Sequence, residues 1–291
     1  MSSSSRSDLV RASQVAGEAA AAAAAVAPAA LVEPDPTGAA FFDVDNTVMR
    51  GASIFHLARG LAKRKFFTTR EVGDFAWKQA KFVINGSEDL EDMASATEAG
   101  LAFVKGKRVA DVVSLGEEIF DELMMRKLWP GTLALAQGHL DRGQRVWLVT
   151  ATPVEIASII AQRLGLTGAL GTVSEIENGI YTGHLVGAPL HGKAKAEAVR
   201  ALAGREGLDL VRCAAYSDSA NDVPMLSAVG RAVAVNPDQA LRKHARAVGW
   251  EIHDYRRARM NTRYYMPAGI AAAAGIGVGI GLGIGATRHR H

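Results

Sequence analysis

The chain has 291 residues, of which 48% are hydrophobic and 22% are charged, and its net charge is +3 with neutral histidines. This length allows one large or two small domains, and the composition is ordinary for a globular protein. So small a net charge gives no argument for nucleic-acid binding. The single cysteine, Cys213, excludes an intramolecular disulfide and a cysteine-rich zinc site, and it suits a reducing cytoplasm.

The N-terminal segment, residues 1–38, is rich in serine, alanine and proline and shows no apolar period. An export signal is the alternative to a disordered leader, because two arginines precede an alanine run. Glu18 opens that run and Pro28 interrupts it, and alanine is only weakly hydrophobic. We therefore expect a disordered leader.

The C-terminal residues 266–286 carry no charge, and as a helix they would span about 30 Å, the thickness of a bilayer core. More than half of them are glycine or alanine, so a flexible tail is the alternative. A basic linker, residues 251–265, precedes them. We favour a transmembrane or membrane-associated segment, with the main domain on the cytoplasmic side by the positive-inside rule.

The first structured segment is expected at residues 39–45 (AAFFDVD), a short apolar run typical of a buried strand. Apolar residues then recur at helical spacing through residues 52–128, which predict about four amphipathic helices. No strand signal interrupts this stretch.

From residue 129 onwards, strand and helix signals alternate. Buried strands are predicted at 145–152 (RVWLVTAT), 211–219 (VRCAAYSDS) and 231–236 (RAVAVN), and Asn178-Gly179 predicts the turn of a β-hairpin. Such alternation implies a parallel sheet with helical crossovers.

We therefore predict an α/β protein with a Rossmann-like parallel core formed by residues 39–51 and 129–250. Residues 52–128 would be an inserted helical cap.

Polar residues follow the first three core strands, at 43–47 (DVDNT), 150–152 (TAT) and 217–222 (SDSAND). Lys195 heads a helix between the second and third of these strands. Because the carboxyl ends of parallel strands lie at one edge of the sheet, these side chains are expected to meet in one crevice.

Several carboxylates in one crevice need a counter-charge, and Mg²⁺ with oxygen ligands is the usual one beside a phosphate. A lysine and a threonine hydroxyl suit an anionic phosphoryl group. One aspartate can attack phosphorus while a second carboxylate transfers protons. The residue types therefore indicate a phosphatase.

These segments resemble the four motifs of the haloacid dehalogenase (HAD) superfamily, in its phosphoserine-phosphatase-like class IB branch. DVDNT matches the first motif, DxDxT, with Asn46 where glycine is common, and Thr150 matches the second. Lys195 matches the third motif, with Lys193 as the alternative. SDSAND matches the fourth, usually GDxxND, with Ser217 in place of glycine.

The resemblance covers about residues 39–250 and implies roles for the matching residues. Asp43 would be the nucleophile and Asp45 the general acid and base. Mg²⁺ would be bound by Asp43, the backbone carbonyl of Asp45 and Asp218, with Asp222 supporting or ligating it. The phosphate-binding residues would be Thr150 and Lys195.

One departure from that family concerns the substrate. Phosphoserine phosphatases typically carry a glutamate seven residues after the second aspartate, where it recognises the substrate's amino group, but this chain has Ala52 there. A buried ammonium without a partner is costly, so we expect a substrate other than phosphoserine. Arg50, Ser53 and His56 are the candidate pocket residues, and Arg50 would favour a second anionic group.

The sequence thus predicts an Mg²⁺-dependent phosphomonoester hydrolase that acts on a small molecule and not on nucleic acid. A membrane-proximal lipid-phosphate phosphatase and a regulatory HAD-fold protein that acts by binding a partner are the alternatives. A transferase that uses the same phosphoaspartate is also open.

Overall fold

The computed structural model describes residues 35–66 and 104–256. Its strands in chain order are β1 Ala39–Phe42, β2 Arg145–Pro153, β3 Gly168–Thr172, β4 Ser174–Glu177, β5 Ile180–Leu185, β6 Ala214–Ser217, β7 Arg231–Val235 and β8 Glu251–His253. Six of them form one sheet in the order β3-β2-β1-β6-β7-β8, and every neighbouring pair in it is parallel. The predicted α/β fold with a parallel sheet is confirmed.

The central strand β1 is buried at all four residues, which explains its continuous apolar sequence. Successive side chains point to opposite faces of the sheet. Ala40 and Phe42 accordingly join one hydrophobic cluster, while Ala39 and Phe41 join the other. Both faces of the sheet are therefore packed, and the polar residues after β1 emerge from the centre of the molecule.

Helices cover the two faces and connect the strands. They are α1 Ser53–Lys63, α2 Val109–Ile119, α3 Pro130–Leu140, α4 Val154–Arg163, α5 Lys193–Glu206, α6 Val223–Leu226 and α7 Gln239–Val248. Local signals start and stop them: Pro130 opens α3, the Asp238 carboxylate caps α7 by accepting the N–H of Leu241, and Gly207 ends α5 in the left-handed conformation.

The strands β4 and β5 form the predicted antiparallel hairpin. Its two turn residues, Asn178 and Gly179, have φ values of 51° and 78°, the positive values that a type I′ turn requires. The sequence interpretation missed β3, because two of its five residues are glycine and it was merged with the hairpin. It also missed β8, whose three residues lie at the start of the predicted basic linker.

The stretch between β1 and β2 contains helices, as expected, in the parts that the structure describes. A π-helical turn, Phe120–Met124, and a 3₁₀ turn, Met125–Lys127, follow α2. The remaining predicted helices of this stretch lie outside the described residues.

Residues 1–34 of the predicted leader, most of the basic linker and the apolar residues 266–286 also lie outside the described residues. Within residues 35–66 and 104–256, the structure contains no helix that is both long and apolar enough to cross a membrane.

The contact between α1 and α2 depends on a glycine. A Cβ atom added to Gly60 would lie 2.5 Å from Cγ1 of Ile119, a side chain that is itself fully buried and cannot move aside. We expect Gly60→Ala to lower the free energy of unfolding by about 1–3 kcal/mol through overpacking. Gly204→Ala in α5 is the matched control, since nothing lies within 4 Å of its added Cβ. This variant should gain stability, by roughly 0.5–1 kcal/mol. Chemical denaturation measures both, and equal effects of the two variants would contradict the predicted helix contact.

Candidate active site

The carboxyl ends of β1, β2 and β6 bring the predicted residues to one edge of the sheet. Asp43 follows β1, Thr150 lies near the end of β2, and Asp218 follows β6. The register pairs Phe42 of β1 with Leu148 of β2 and Tyr216 of β6, so Asp43, Thr150 and Asp218 follow these paired positions by one or two residues and lie at nearly the same level, while β2 itself continues to Pro153. Lys195 reaches this edge from the first turn of α5.

A buried lysine joins two of the aspartates. Lys195 Nζ lies 2.6 Å from Asp43 Oδ1 and 2.8 Å from Asp222 Oδ2. The exposed fractions are 5% for Lys195, 5% for Asp43 and 2% for Asp222. Lys193, the alternative match to the third motif, is exposed on the same helix. The geometry therefore favours Lys195 as the lysine of the site.

Hydroxyl groups complete the surroundings of these carboxylates. Thr47 Oγ1 donates to Asp43 Oδ2 at 2.9 Å and lies 3.5 Å from Asp218 Oδ1, which brings the first and fourth motifs together. Ser217, which stands where the family usually has glycine, donates its hydroxyl proton to Asp222 Oδ2 at 2.7 Å. The replacement of glycine by serine thus adds a hydrogen bond inside the site.

The electrostatics of the site follow from burial and crowding. Burial raises the pKa of the Asp43 carboxyl to about 8, and Asp222, Asp45 and Asp218 add to the shift while Lys195 opposes it. Burial, with Asp222 next, raises the pKa of Asp218 to about 7. For Lys195, burial alone would lower the pKa, but Asp43 and Asp222 outweigh it and raise the value above the ordinary range.

One lysine therefore does not balance all the negative charge at this edge, and an additional cation fits it. Asp43 and Asp218 face each other across Thr47 and offer the carboxylate oxygens that Mg²⁺ prefers. Within the described residues, however, no group of three or more His, Cys, Asp or Glu side chains is gathered closely enough to hold a metal ion by itself. Lys195 occupies the space between Asp43 and Asp222 instead.

The carboxylate of Asp45 has hydrogen-bond partners of its own. Its Oδ1 accepts hydrogen bonds from the backbone N–H of Ser53 at 2.8 Å and from Ser53 Oγ at 2.5 Å. Ser53 Oγ in turn lies 2.6 Å from Thr152 Oγ1. Asp45 is therefore held by Ser53 and not by Lys195, although it lies near enough to Asp43 to contribute to the raised pKa of that carboxyl.

The three residues assigned to the substrate pocket have other partners. Arg50 Nη2 donates to the carbonyl of Arg126 at 2.7 Å, and its guanidinium lies 5.4 Å from the ring centre of Trp129. His56 Nε2 lies 2.9 Å from the carbonyl of Arg50. These contacts do not involve a substrate, and a substrate contact by Arg50, Ser53 or His56 stays a prediction.

Two residues after β7 were missed by the sequence analysis. Asn236 Nδ2 donates to the carbonyl of Asn46 at 3.3 Å, which ties β7 to the loop that follows Asp43. Asp238 accepts the N–H of Ala220 at 2.9 Å and donates its own N–H to the carbonyl of Asp218 at 2.7 Å. Ligands bind at the carboxyl ends of the strands in such a sheet. The polar residues Asn236 and Asp238 could therefore have been predicted from their position at the end of the fourth predicted strand.

Comparisons with known proteins agree with this geometry. The family model described as haloacid dehalogenase-like hydrolase matches residues 40–227. Phosphoserine phosphatase SerB1 of Mycobacterium tuberculosis is 59% identical over 237 residues, which cover 81% of this chain and 77% of that protein. Probable phosphatase Rv3661 of the same organism is 35% identical over 240 residues, covering 82% of this chain and 83% of the relative.

A solved structure of a protein of unknown function from Bordetella pertussis superposes with a TM-score of 0.65 at 29% identity and covers 75% of this chain and 98% of that one. The chain belongs to the haloacid dehalogenase-like hydrolase family, within which it is a phosphatase similar to the phosphoserine phosphatases.

The two lysines of α5 offer a matched test of the site. Replacing Lys195 by methionine leaves Asp43 and Asp222 buried without their shared positive charge. We expect Lys195→Met to lower kcat/KM for p-nitrophenyl phosphate on the order of a hundredfold or more. Lys193→Met, on the exposed side of the helix, should stay within about twofold of the wild type. A larger loss in the Lys193 variant would show that the lysine has been misassigned.

Proposed function

We propose that the protein is an Mg²⁺-dependent phosphomonoester hydrolase that forms a phosphoaspartate on Asp43. The observation that carries the proposal is the buried position of Asp43, held at Oδ1 by Lys195 and at Oδ2 by Thr47. Hydrogen bonds at both oxygens orient the carboxylate at the binding edge of the sheet. A carboxylate fixed in this way can attack a bound phosphoryl group.

In the first step, an oxygen of Asp43 attacks phosphorus, and the bond between phosphorus and the ester oxygen breaks. Asp45 donates a proton to the departing oxygen, which leaves as an alcohol. In the second step, Asp45 takes a proton from water, whose oxygen attacks the phosphorus of the phosphoaspartate. The bond between phosphorus and the Asp43 oxygen breaks, phosphate leaves, Asp43 is a carboxylate again, and Asp45 keeps the proton that it took from water.

The phosphoryl oxygens would be bound by Thr150 and Lys195. Thr150 is buried, and its Oγ1 accepts the N–H of Thr152 at 3.2 Å, so its own proton is available to donate. The Lys195 ammonium carries the positive charge that a transferring phosphoryl group requires. Mg²⁺ would be held by Asp43, the backbone carbonyl of Asp45 and Asp218, with Asp222 supporting or ligating it, and would neutralise charge on the phosphoryl group and favour the ionised nucleophile.

The inserted residues 52–128 fit the role of a cap that excludes water from the reaction. The support is the position of α1, whose first residue, Ser53, contacts Asp45 directly. The membrane-associated tail and the lipid-phosphate alternative depend on residues 266–286, which lie outside the part of the chain that the structure describes.

Replacement of the nucleophile tests the chemistry. Full-length Asp43→Asn should lose kcat for p-nitrophenyl phosphate on the order of a thousandfold or more, because the amide cannot form the intermediate. Asp111→Asn, an exposed aspartate in the first turn of α2, is the matched control and should keep wild-type activity. Chelation of Mg²⁺ should abolish the wild-type activity, and added Mg²⁺ should restore it. Full activity of Asp43→Asn would refute the proposal.

Two observations about the substrate disagree. The relative from Mycobacterium tuberculosis that is 59% identical to this chain is named a phosphoserine phosphatase. In this chain, Ala52 precedes α1 at the position of the amino-recognising glutamate, and its methyl group offers no partner to an ammonium. We propose that the preferred substrate is a phosphomonoester other than phosphoserine.

A pair of substrates that differ in the amino acid part decides this. We expect kcat/KM for phosphoserine to be no higher than for glycerol phosphate or a sugar phosphate, because the side chain at position 52 cannot bind the ammonium group of phosphoserine. Phosphate release from each compound at equal concentration measures the preference, with Asp43→Asn as the blank. A clear preference for phosphoserine would overturn the substrate assignment and leave the phosphoaspartate chemistry intact.

A further inference from the structure

The carboxylate of Asp45 ends a chain of three side chains that come from three different elements. Asp45 lies in the loop after β1, Ser53 is the first residue of α1, and Thr152 lies near the end of β2. Ser53 is fully buried, and Thr152 is 2% exposed. The oxygen atoms are 2.5 Å apart between Asp45 and Ser53, and 2.6 Å apart between Ser53 and Thr152.

The direction of these hydrogen bonds follows from the number of protons. Asp45 Oδ1 already accepts the backbone N–H of Ser53, so this oxygen acts as an acceptor. The single hydroxyl proton of Ser53 must then point to Asp45. Ser53 Oγ can only accept from its second neighbour, so Thr152 Oγ1 is the donor to Ser53.

This arrangement decides which oxygen of Asp45 carries the catalytic proton. With two donors directed at Oδ1, a proton on that oxygen would face two other hydrogens. When Asp45 acts as an acid, its proton therefore sits on Oδ2. The hydrogen bonds from Thr152 to Ser53 and from Ser53 to Asp45 fix the orientation of the carboxylate and therefore the position of Oδ2. An aspartate without such hydrogen bonds samples several rotamers.

We propose that Ser53 and Thr152 are positioning residues that hold Asp45 so that Oδ2 protonates the leaving group; this rests on the proposed function of Asp45. Thr152 lies two residues after Thr150 on the same strand, both threonines are buried, and the backbone N–H of Thr152 donates to Thr150 Oγ1 at 3.2 Å. One rigid strand would thus set the place of the phosphoryl group through Thr150 and the place of the proton donor through Thr152. In this role Ser53 acts on the reaction through Asp45 and not as a wall of the substrate pocket.

A series of aryl phosphates tests the proposal, because the need for a proton donor grows with the basicity of the leaving phenol. We would measure kcat/KM of the full-length protein for p-nitrophenyl, chlorophenyl and phenyl phosphate. This constant reports the first chemical step. The variants are Ser53→Ala and Thr152→Val, which each remove one hydroxyl, and Thr152→Ser, which keeps it. Thr182→Val, which removes a hydroxyl that bonds Glu175 in the hairpin, is the matched control.

We expect Ser53→Ala and Thr152→Val to lose about tenfold more kcat/KM on phenyl phosphate than on p-nitrophenyl phosphate. Thr152→Ser and Thr182→Val should follow the wild-type dependence on the leaving group. In an Asp45→Asn background, Ser53→Ala should cause no further change in that dependence, because the group that it positions is gone.

An equal loss on all three substrates, or no loss on any, would overturn the positioning role. So would a persistent effect of Ser53→Ala on the leaving-group dependence in the Asp45→Asn background. These outcomes are distinct from a failure of the proposed function, which would appear as full activity of Asp43→Asn. Circular dichroism and the thermal unfolding midpoint of each variant confirm that the compared proteins are folded.

Discussion

The interaction on which the site depends is the buried ammonium of Lys195 between the carboxylates of Asp43 and Asp222. Taking three charges out of water costs several kcal/mol each, and only close contact and further hydrogen bonds offset that cost. The contact requires α5, the loop after β1 and the loop after β6 to meet at one point. A carboxylate kept buried in this way is poorly solvated, which raises the pKa of Asp43.

The remaining polar groups at this edge are arranged around that triad. Thr47 and Ser217 supply hydroxyl protons to the two carboxylates, and Asp238 holds the loop between β6 and α6 through its side chain and its backbone N–H. Asn236 connects β7 to the loop after β1. Because the loops are fixed by hydrogen bonds to neighbouring strands, Asp43 and Asp45 can be held by different partners. The two aspartates are only two residues apart in the chain, yet one contacts Lys195 and the other contacts Ser53.

Sequence reasoning reached the parallel sheet and the residues at its carboxyl edge because both depend on local patterns. A short apolar run that ends in aspartates is visible in residues 39–45 without any knowledge of the neighbours. By contrast, β3 is short and rich in glycine, and it becomes a strand only because β2 pairs with it. The placement of Arg50 was equally out of reach, since its guanidinium is bound by carbonyls of residues 126 and 127, far along the chain.

The sequence by itself determined the class of chemistry. The carboxylates, the lysine and the threonine expected at one edge of the sheet indicate which charges must be balanced there, and these charges are typical of a phosphatase. It left open which lysine enters the site and what the second aspartate contacts. Only the tertiary structure decided these points: Lys195 lies on the buried side of α5 and Lys193 on the exposed side, and the carboxylate of Asp45 turns to Ser53 and Thr152. The physical reason is that local spacing specifies an element and its faces. The partner of a side chain depends on which other elements pack against that face.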